Sequence, residues 1–229
     1  MAKRPIFIPR PDHFPYVNEI VVDFIWYPGF NKSQVQKSIR SLHEAAKKQD
    51  VFPILEISTK SEDGVGLSLS AFNLSLCLTD NQTISVECAF QGSKVFQNGG
   101  PYSDLYLKNS REAKTDPRLQ NSGTLIGFKL LGEDFPLIPE TAFYDWLYIK
   151  AMWQNKNLSD QVMSFNGFSD IAFNPKKSIN CQARSAALYA ALCNKSYDIG
   201  KIINDRDYYL RLMTGNQTEF PNWQPELPL

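Results

Sequence analysis

Residues 86–96 read V-E-C-A-F-Q-G-S-K-V-F. The spacing predicts one helix across the whole stretch. Glu87, Gln91 and Lys94 recur at i, i+4 and i+7 and share a face, with Phe90 beside them. Val86, Cys88, Ala89, Val95 and Phe96 make the rest of the surface apolar. A helix that is apolar nearly all round belongs in the interior. A stripe of carboxylate, amide and amine through such a surface must be satisfied internally or must face a ligand, because unpaired buried charge is costly. Two arrangements meet that demand. Glu87 and Lys94 can close an ion pair across two helical turns, roughly 10 Å along the axis. Alternatively, they flank a bound substrate, which makes the stripe a candidate active site.

Outward from this segment the chain reads as α+β, with a small N-terminal β-sheet and a dominant helical body in a single domain over residues 1–229. Residues 1–16 are rich in proline and read as an extended lead-in. Ile20–Tyr27 is β-branched and aromatic and reads as a strand ended by Pro28-Gly29. Ser33 opens a helix with Gln36 as its capping-box partner, and Val35, Ile39, Leu42 and Ala46 form its apolar face. Lys32, Lys37, Arg40, Lys47 and Lys48 make much of the remainder basic. That face is either simply solvated or a surface for nucleic-acid phosphates or an acidic partner.

Val51–Ser58, Gly66–Ser70 and Thr83–Val86 read as short strands, separated by turns at 62–64 and 79–81. Tyr102–Lys114 reads as a polar helix broken by Asp116-Pro117. Pro139 starts the longest expected helix, with Ala142, Trp146, Ile149 and Trp153 facing the core and Asp145 and Lys150 as polar exceptions. Leu158–Phe165 continues as helix until Gly167, and a loop carries Asn174-Pro175-Lys176-Lys177. Ala183–Cys193 and Arg206–Met213 are the last helices, and the tail from Glu219 is extended. There is no internal repeat and no low-complexity segment.

Composition narrows the function. Among 229 residues, 24 basic side chains balance 24 acidic ones. That argues against a surface that grips nucleic acid everywhere, while leaving room for a local basic patch. No stretch approaches the roughly 20 apolar residues of a membrane span, and the N-terminus lacks the apolar run of a secretory signal. A cytoplasmic protein with no membrane partner is expected. Cys77, Cys88, Cys181 and Cys193 form no C-x-x-C pair and read as reduced thiols with packing roles. His13 and His43 are the only histidines and stand apart from other catalytic-looking groups, so neither a His-based metal site nor a Ser-His-Asp triad is expected.

The pattern Glu87-x-x-Phe90-Gln91-x-x-Lys94 resembles the E-x-x-F-Q-x-x-K helix of the NADAR (YbiA-like) family. Upstream, Leu69-Ser70-Ala71-Phe72-Asn73 is similar to the family's L-S-N-F segment. Downstream, Asp170-Ile171-Ala172-Phe173, with Asn180 after it, is similar to D-x-x-W-G and its later G-x-N. The order and spacing hold over 66–195, the family core, with 1–60 as a strand-helix-strand extension. The W-Y-P-G-F stretch and the F-N-P-K-K-S-I-N-C-Q-A-R-S run resemble one branch, the NADAR proteins found beside DarT-type DNA ADP-ribosyltransferase toxins. The chain departs from the family in two places. Phe173-Asn174 replaces W-G, and Phe135 is the nearest substitute for a tryptophan before the long helix.

The resemblance implies an antitoxin that removes ADP-ribose from guanine bases in DNA, needs no cofactor, and has ADP-ribosylated DNA or ADP-ribose, and a DarT-type toxin, as partners. It implies Lys94 as a nucleophile forming a Schiff base at ribose C1′ and Glu87 as the proton shuttle. Phe90, Gln91, Ser70 and Asn73 would line the pocket. Asp170 would bind ribose or adenine, Asn180 and Arg184 the diphosphate, and Trp146 would stack on a base. Lys176 and Lys177 would touch DNA phosphates. Two other readings stay open: an N-glycosidase acting on a small metabolite such as a riboflavin-pathway intermediate, and an antitoxin that only binds its toxin.

Overall fold

In chain order the elements are β1 (Ala2–Pro9), β2 (Val17–Phe24), α1 (Lys32–Lys47), β3 (Ile54–Glu56), α2 (Gly64–Ser68), β4 (Ser75–Thr79) and β5 (Gln82–Ser85). Then come α3 (Val86–Gly92), β6 (Lys94–Phe96), a 3-10 helix (Ser103–Leu107), α4 (Ser110–Lys114), α5 (Arg118–Asn121), β7 (Leu125–Leu130) and β8 (Glu133–Phe135). The chain continues through α6 (Ala142–Gln154), α7 (Lys156–Val162), β9 (Gly167–Ser169), α8 (Gln182–Asn194), α9 (Ile199–Asn204) and α10 (Arg206–Met213). This computed structural model describes residues 1–79 and 82–215. The expected extended tail, and Asp80 and Asn81 of an expected turn, lie outside the described residues.

The architecture is α+β, as expected. The main sheet has the order β2-β1-β9-β3, so the N-terminal hairpin is built into the same sheet as a strand from the second half of the chain. The lead-in is therefore a strand. Pro5 and Pro9 fall outside the one β1–β9 pairing, Phe7↔Phe168, so only the β2 flank of β1 is paired at each of them. β3 runs parallel to β9. β4 and β5 form a hairpin, and β6-β7-β8 a third sheet.

Several boundaries differ from expectation for local reasons. The cap of α1 is Asn31, whose side chain accepts from Gln34 N at 2.9 Å; Ser33 lies inside the helix. At 16 residues α1 is longer than the 13-residue α6. Gly66–Ser70 is not a strand, because Asp63 accepts from Val65 N at 2.7 Å and caps α2 over Gly64–Ser68. Tyr102–Lys114 splits where Asn109 caps α4 in a reciprocal box with Glu112. Pro139 sits in a turn that Ala142 N closes onto its carbonyl at 3.0 Å, so α6 begins three residues later than proposed.

Helices α6 and α8 are buried on almost every face and form the centre of the molecule. Trp153 is an exception at 45% exposed, against its expected core position. Tyr148 donates to Leu69 O at 2.6 Å and Tyr209 to Ala142 O at 2.8 Å, pinning α6 to its neighbours. A second, smaller core joins the β1–β2 hairpin to α1 through Ile6, Val22, Phe24, Ile39 and Leu42. All four cysteines are free thiols, as expected. Among the described residues no helix is long and apolar enough to cross a membrane.

Candidate active site

Ser85 caps α3 by accepting from Cys88 N at 3.1 Å, and every residue of the helix is buried. Glu87 stands in its first turn, where the helix dipole favours a carboxylate. The helix stops at Gly92, where a Cβ would lie 2.4 Å from the Tyr106 ring. Ser93 closes the last turn by donating to Ala89 O at 2.7 Å. The chain then extends, with Lys94 opposite Phe128 and Val95 opposite Gly127. Lys94 is thus a strand residue, and the expected helix through Phe96 is corrected. Its amine nevertheless returns to the same face and sits 4.8 Å from the centroid of Phe90.

The closed Glu87–Lys94 ion pair does not form. Glu87 Oε1 accepts from Gln91 Nε2 at 2.8 Å and pairs with Lys114 Nζ at 3.6 Å. Lys114 lies over the Phe72 ring at 5.2 Å. Burial holds the Lys94 amine below the ordinary lysine range; the Glu87 charge opposes that shift and the Lys114 charge adds to it. Phe90 packs against Phe128 at 5.5 Å and meets Tyr144 edge-on at 5.1 Å, giving the lysine an aromatic bed. Burial, with the Glu87 charge, keeps the Tyr144 phenol protonated.

These groups form one side of a cavity of about 1100 Å3. Ser70, Asp170, Asn180, Gln182, Lys176 and Lys177 also line it. Asp170 accepts from the backbone N–H of Ala172 and Phe173 at 3.0 and 3.2 Å, and from Gln182 Nε2 at 3.1 Å. Gln182 also donates to Ile57 O at 2.6 Å and accepts from Ala71 N at 2.7 Å, tying the wall together. Behind it lies Glu56, which accepts from Ile171 N at 2.9 Å and from Ser169 Oγ at 2.5 Å. Ser169 in turn meets His43 Nε2 at 2.8 Å. His43 is therefore linked through one hydroxyl to a buried carboxylate, against the expectation that it stands alone. Burial raises the Glu56 and Asp170 carboxyls, and the Asp170 charge lifts Glu56 further. Burial lowers His43 to about 4.

Among the described residues, three buried side-chain atoms have no hydrogen-bond partner: Ser70 Oγ, Gln91 Oε1 and Asn180 Oδ1. All three belong to residues that line this cavity. Unpaired buried polar atoms are rare, and a bound ligand is one way to satisfy them.

The structure thus brings Glu87, Phe90, Gln91, Lys94, Ser70, Asp170 and Asn180 to one cavity. It places three other expected residues elsewhere. Asn73 is exposed and donates to Leu67 O at 2.8 Å. Trp146 is a core residue that donates to Ile202 O at 3.3 Å and packs on Phe135 at 4.8 Å. Arg184 is held by Asp145 at 2.5 Å and by Thr141 at 3.1 Å, so its guanidinium is already engaged. Sequence reading missed Lys114, Tyr144, Phe72 and Gln182 on the wall. Lys114 ends a polar helix and carried no periodic signal. Tyr144 was hidden inside an apolar run.

The fold and cavity define a class first: an α+β protein with lysines, carboxylates and aromatic rings gathered on the wall of one large cavity. A family profile of DarT1-associated NADAR antitoxins matches residues 2–222, and the chain belongs to that family. No curated protein sequence matches the chain.

Proposed function

We propose that this antitoxin is an ADP-ribosylglycohydrolase that removes ADP-ribose from guanine in DNA, with Lys94 as nucleophile. The observation that carries the proposal is the set of unpartnered atoms on Ser70, Gln91 and Asn180 around the cavity that holds Lys94 and Glu87. The two amide oxygens accept and so call for donors such as ribose hydroxyls or base N–H groups, and the serine hydroxyl can give or take a bond. The cavity volume, about 1100 Å3, lies just above the usual range for small-molecule pockets, about 300–1,000 Å3, and suits a nucleotide diphosphate sugar.

In the proposed reaction the neutral Lys94 amine attacks ribose C1′ and the C1′–N bond to guanine breaks. Glu87 carries the proton lost by the amine to the departing nitrogen. The resulting glycosylamine opens to a Schiff base as its N–H proton passes to the ring oxygen. Water then adds to C1′, the amine leaves, and ADP-ribose is released. The lowered basicity of Lys94 supports the first step by leaving more of the amine unprotonated. The Lys114 ammonium lies 3.6 Å from the Glu87 carboxylate and holds it at the cavity wall.

The test is release of ADP-ribose from an oligonucleotide carrying ADP-ribosylated guanine, run with wild type and Lys94→Ala. Release is expected from wild type alone, and borohydride added during turnover is expected to fix ADP-ribose on Lys94. Release by neither protein would leave a toxin-binding or metabolite role. Release by both would remove Lys94 from the reaction.

A further inference from the structure

The loop between β2 and α1, Ile25-Trp26-Tyr27-Pro28-Gly29-Phe30-Asn31, is unusual in what it buries and what it shows. Its backbone is fixed: Ile25 N donates to Ser41 Oγ at 3.0 Å and Tyr27 N to Ser38 Oγ at 2.9 Å, both on α1. Gly29 takes φ +130°, a conformation that other residues rarely adopt, and turns the chain toward the helix. The loop's aromatic side chains are at most partly covered. Trp26 and Tyr27 are 38% and 37% exposed, and Phe30 is completely so. Trp26 also packs edge-on against the core residue Phe24 at 6.2 Å, which anchors the loop, while Phe30 packs on nothing among the described residues and stands free.

The surroundings are cationic. Arg4 lies over the Trp26 ring at 5.6 Å. Tyr27 lines an open cleft of about 440 Å3 with Lys37, Arg40, Ser41 and Glu44. The exposed positions of α1 include Lys32, Lys37, Arg40 and Lys47, with Glu44 as the one carboxylate of that helix and Glu62 pairing with Arg40 at 3.0 Å. Exposed rings beside a row of cations match the chemistry of a single nucleic-acid strand, whose bases stack and whose phosphates need neutralising.

This surface also joins the candidate active site at two points. Arg4 Nε donates to Ile171 O at 3.1 Å, and Ile171 lies between Asp170 and Ala172, which line the cavity. Gln36 of α1 donates to Lys60 O at 3.3 Å, next to Thr59 and Ser58 on the cavity wall. An enzyme acting on a modified base needs that nucleotide out of the duplex, and the flanking strand must then lie along the protein surface.

We propose that the 25–31 loop and the adjoining face of α1 hold single-stranded DNA flanking the modified nucleotide, with Trp26, Tyr27 and Phe30 stacking on bases and Arg4, Lys32 and Lys37 meeting phosphates. The assignment rests on the glycohydrolase reading for its biological meaning but is tested without turnover. Fluorescence anisotropy is measured with an unmodified single strand of about 20 nucleotides and with the matching duplex. Wild type is expected to prefer the single strand. Phe30→Ala and Lys37→Gln, both fully surface changes, are each expected to weaken single-strand binding, Phe30→Ala by about fivefold or more. Lys37→Gln is also expected to reduce the salt dependence of binding. With substrate, both variants should raise KM for the ADP-ribosylated oligonucleotide and leave cleavage of ADP-ribosylated guanosine unchanged. Single-strand affinity that is unaltered in both variants would overturn the assignment, as would lost affinity for a DarT1-type toxin with DNA binding intact. Single-strand binding without hydrolysis of either substrate would sustain it while defeating the glycohydrolase reading.

Discussion

A buried hydroxyl with no partner costs the protein stability until something arrives to bond it. Ser70 Oγ is in that position: the residue is 1% exposed, it lines the cavity, and its oxygen is unpartnered among the described residues. Ser70→Ala should therefore move stability and binding in opposite directions. The free protein should gain up to about 1 kcal/mol, because a desolvated hydroxyl is removed. Ligand affinity should fall about tenfold, the worth of one hydrogen bond. Thermal melting and isothermal titration with ADP-ribose check both signs; a variant that is less stable and binds equally well would mean the hydroxyl is structural. Single residues were also where the sequence was most legible. Glu87, Phe90, Gln91 and Lys94 were recognisable because charged and amide groups interrupt an apolar run at regular spacing. Lys114 offered no such contrast, since a lysine at the end of a polar helix looks like any solvated one. Arg184 shows the converse. Its place in the chain suited a phosphate ligand, but Asp145 lies 39 residues earlier and on another helix, and only the fold brings the two together.

That pair belongs to the scale of elements, because it is the polar lock between α6 and α8. Asp145 is 2% exposed; it accepts from Arg184 at 2.5 Å and from Ser185 Oγ at 2.6 Å. Removing one member of a buried ion pair strands the other's charge, at a cost of about 3–5 kcal/mol. Asp145→Ala should approach about 3 kcal/mol of destabilisation, since the Arg184 side chain retains 25% exposure and can recruit water. Urea unfolding measures this; a loss below about 1 kcal/mol would mean that apolar packing alone holds α6 on α8. Elements were legible where apolar pattern and length agreed, as in α1, α6, α8 and α10. They were misread where one side chain decided a boundary. Gly92 is glycine because the Tyr106 ring occupies the space a side chain would need, and just beyond it Lys94 pairs with Phe128, over thirty residues further along the chain. Local periodicity carries no trace of that contact, so the helix was extended through Lys94. The amine still reaches the same face because β6 leaves the helix at once and pairs with β7 along the cavity wall.

At the scale of the whole molecule, the wall of the site depends on strands from distant parts of the chain. The sheet order β2-β1-β9-β3 sets β3 beside β9 in parallel, with Glu56 opposite Ser169. β3 falls within the expected strand Val51–Ser58, but the three-residue β9 does not read as a strand, and their partnership spans over a hundred positions. The topology nonetheless drives the Glu56 carboxyl into the interior directly behind Asp170, with Ser169 and His43 completing the chain of polar groups. Burial and the neighbouring Asp170 charge both raise Glu56, so the fold favours its protonated form. The consequence for stability has a definite sign. A carboxyl raised in the folded state favours folding most at pH values below its unfolded value, near 4.5, and that contribution is lost as pH rises through the folded value. His43, lowered to about 4 by burial, acts in the opposite sense: it favours folding above its unfolded value of 6.5 and that contribution is lost on acidification. The two overlap, so the melting curve of wild type alone does not separate them. Glu56→Gln does, because the amide reproduces the protonated acid, accepting from Ile171 N with its oxygen and donating to Ser169 Oγ with its nitrogen. The difference in melting temperature between Glu56→Gln and wild type should be small near pH 4.5 and should grow in favour of the variant between about pH 5 and 8. A difference that stays constant across that range would mean that Glu56 ionises in the folded protein as it does in the unfolded chain, and that Asp170 faces a carboxylate from behind.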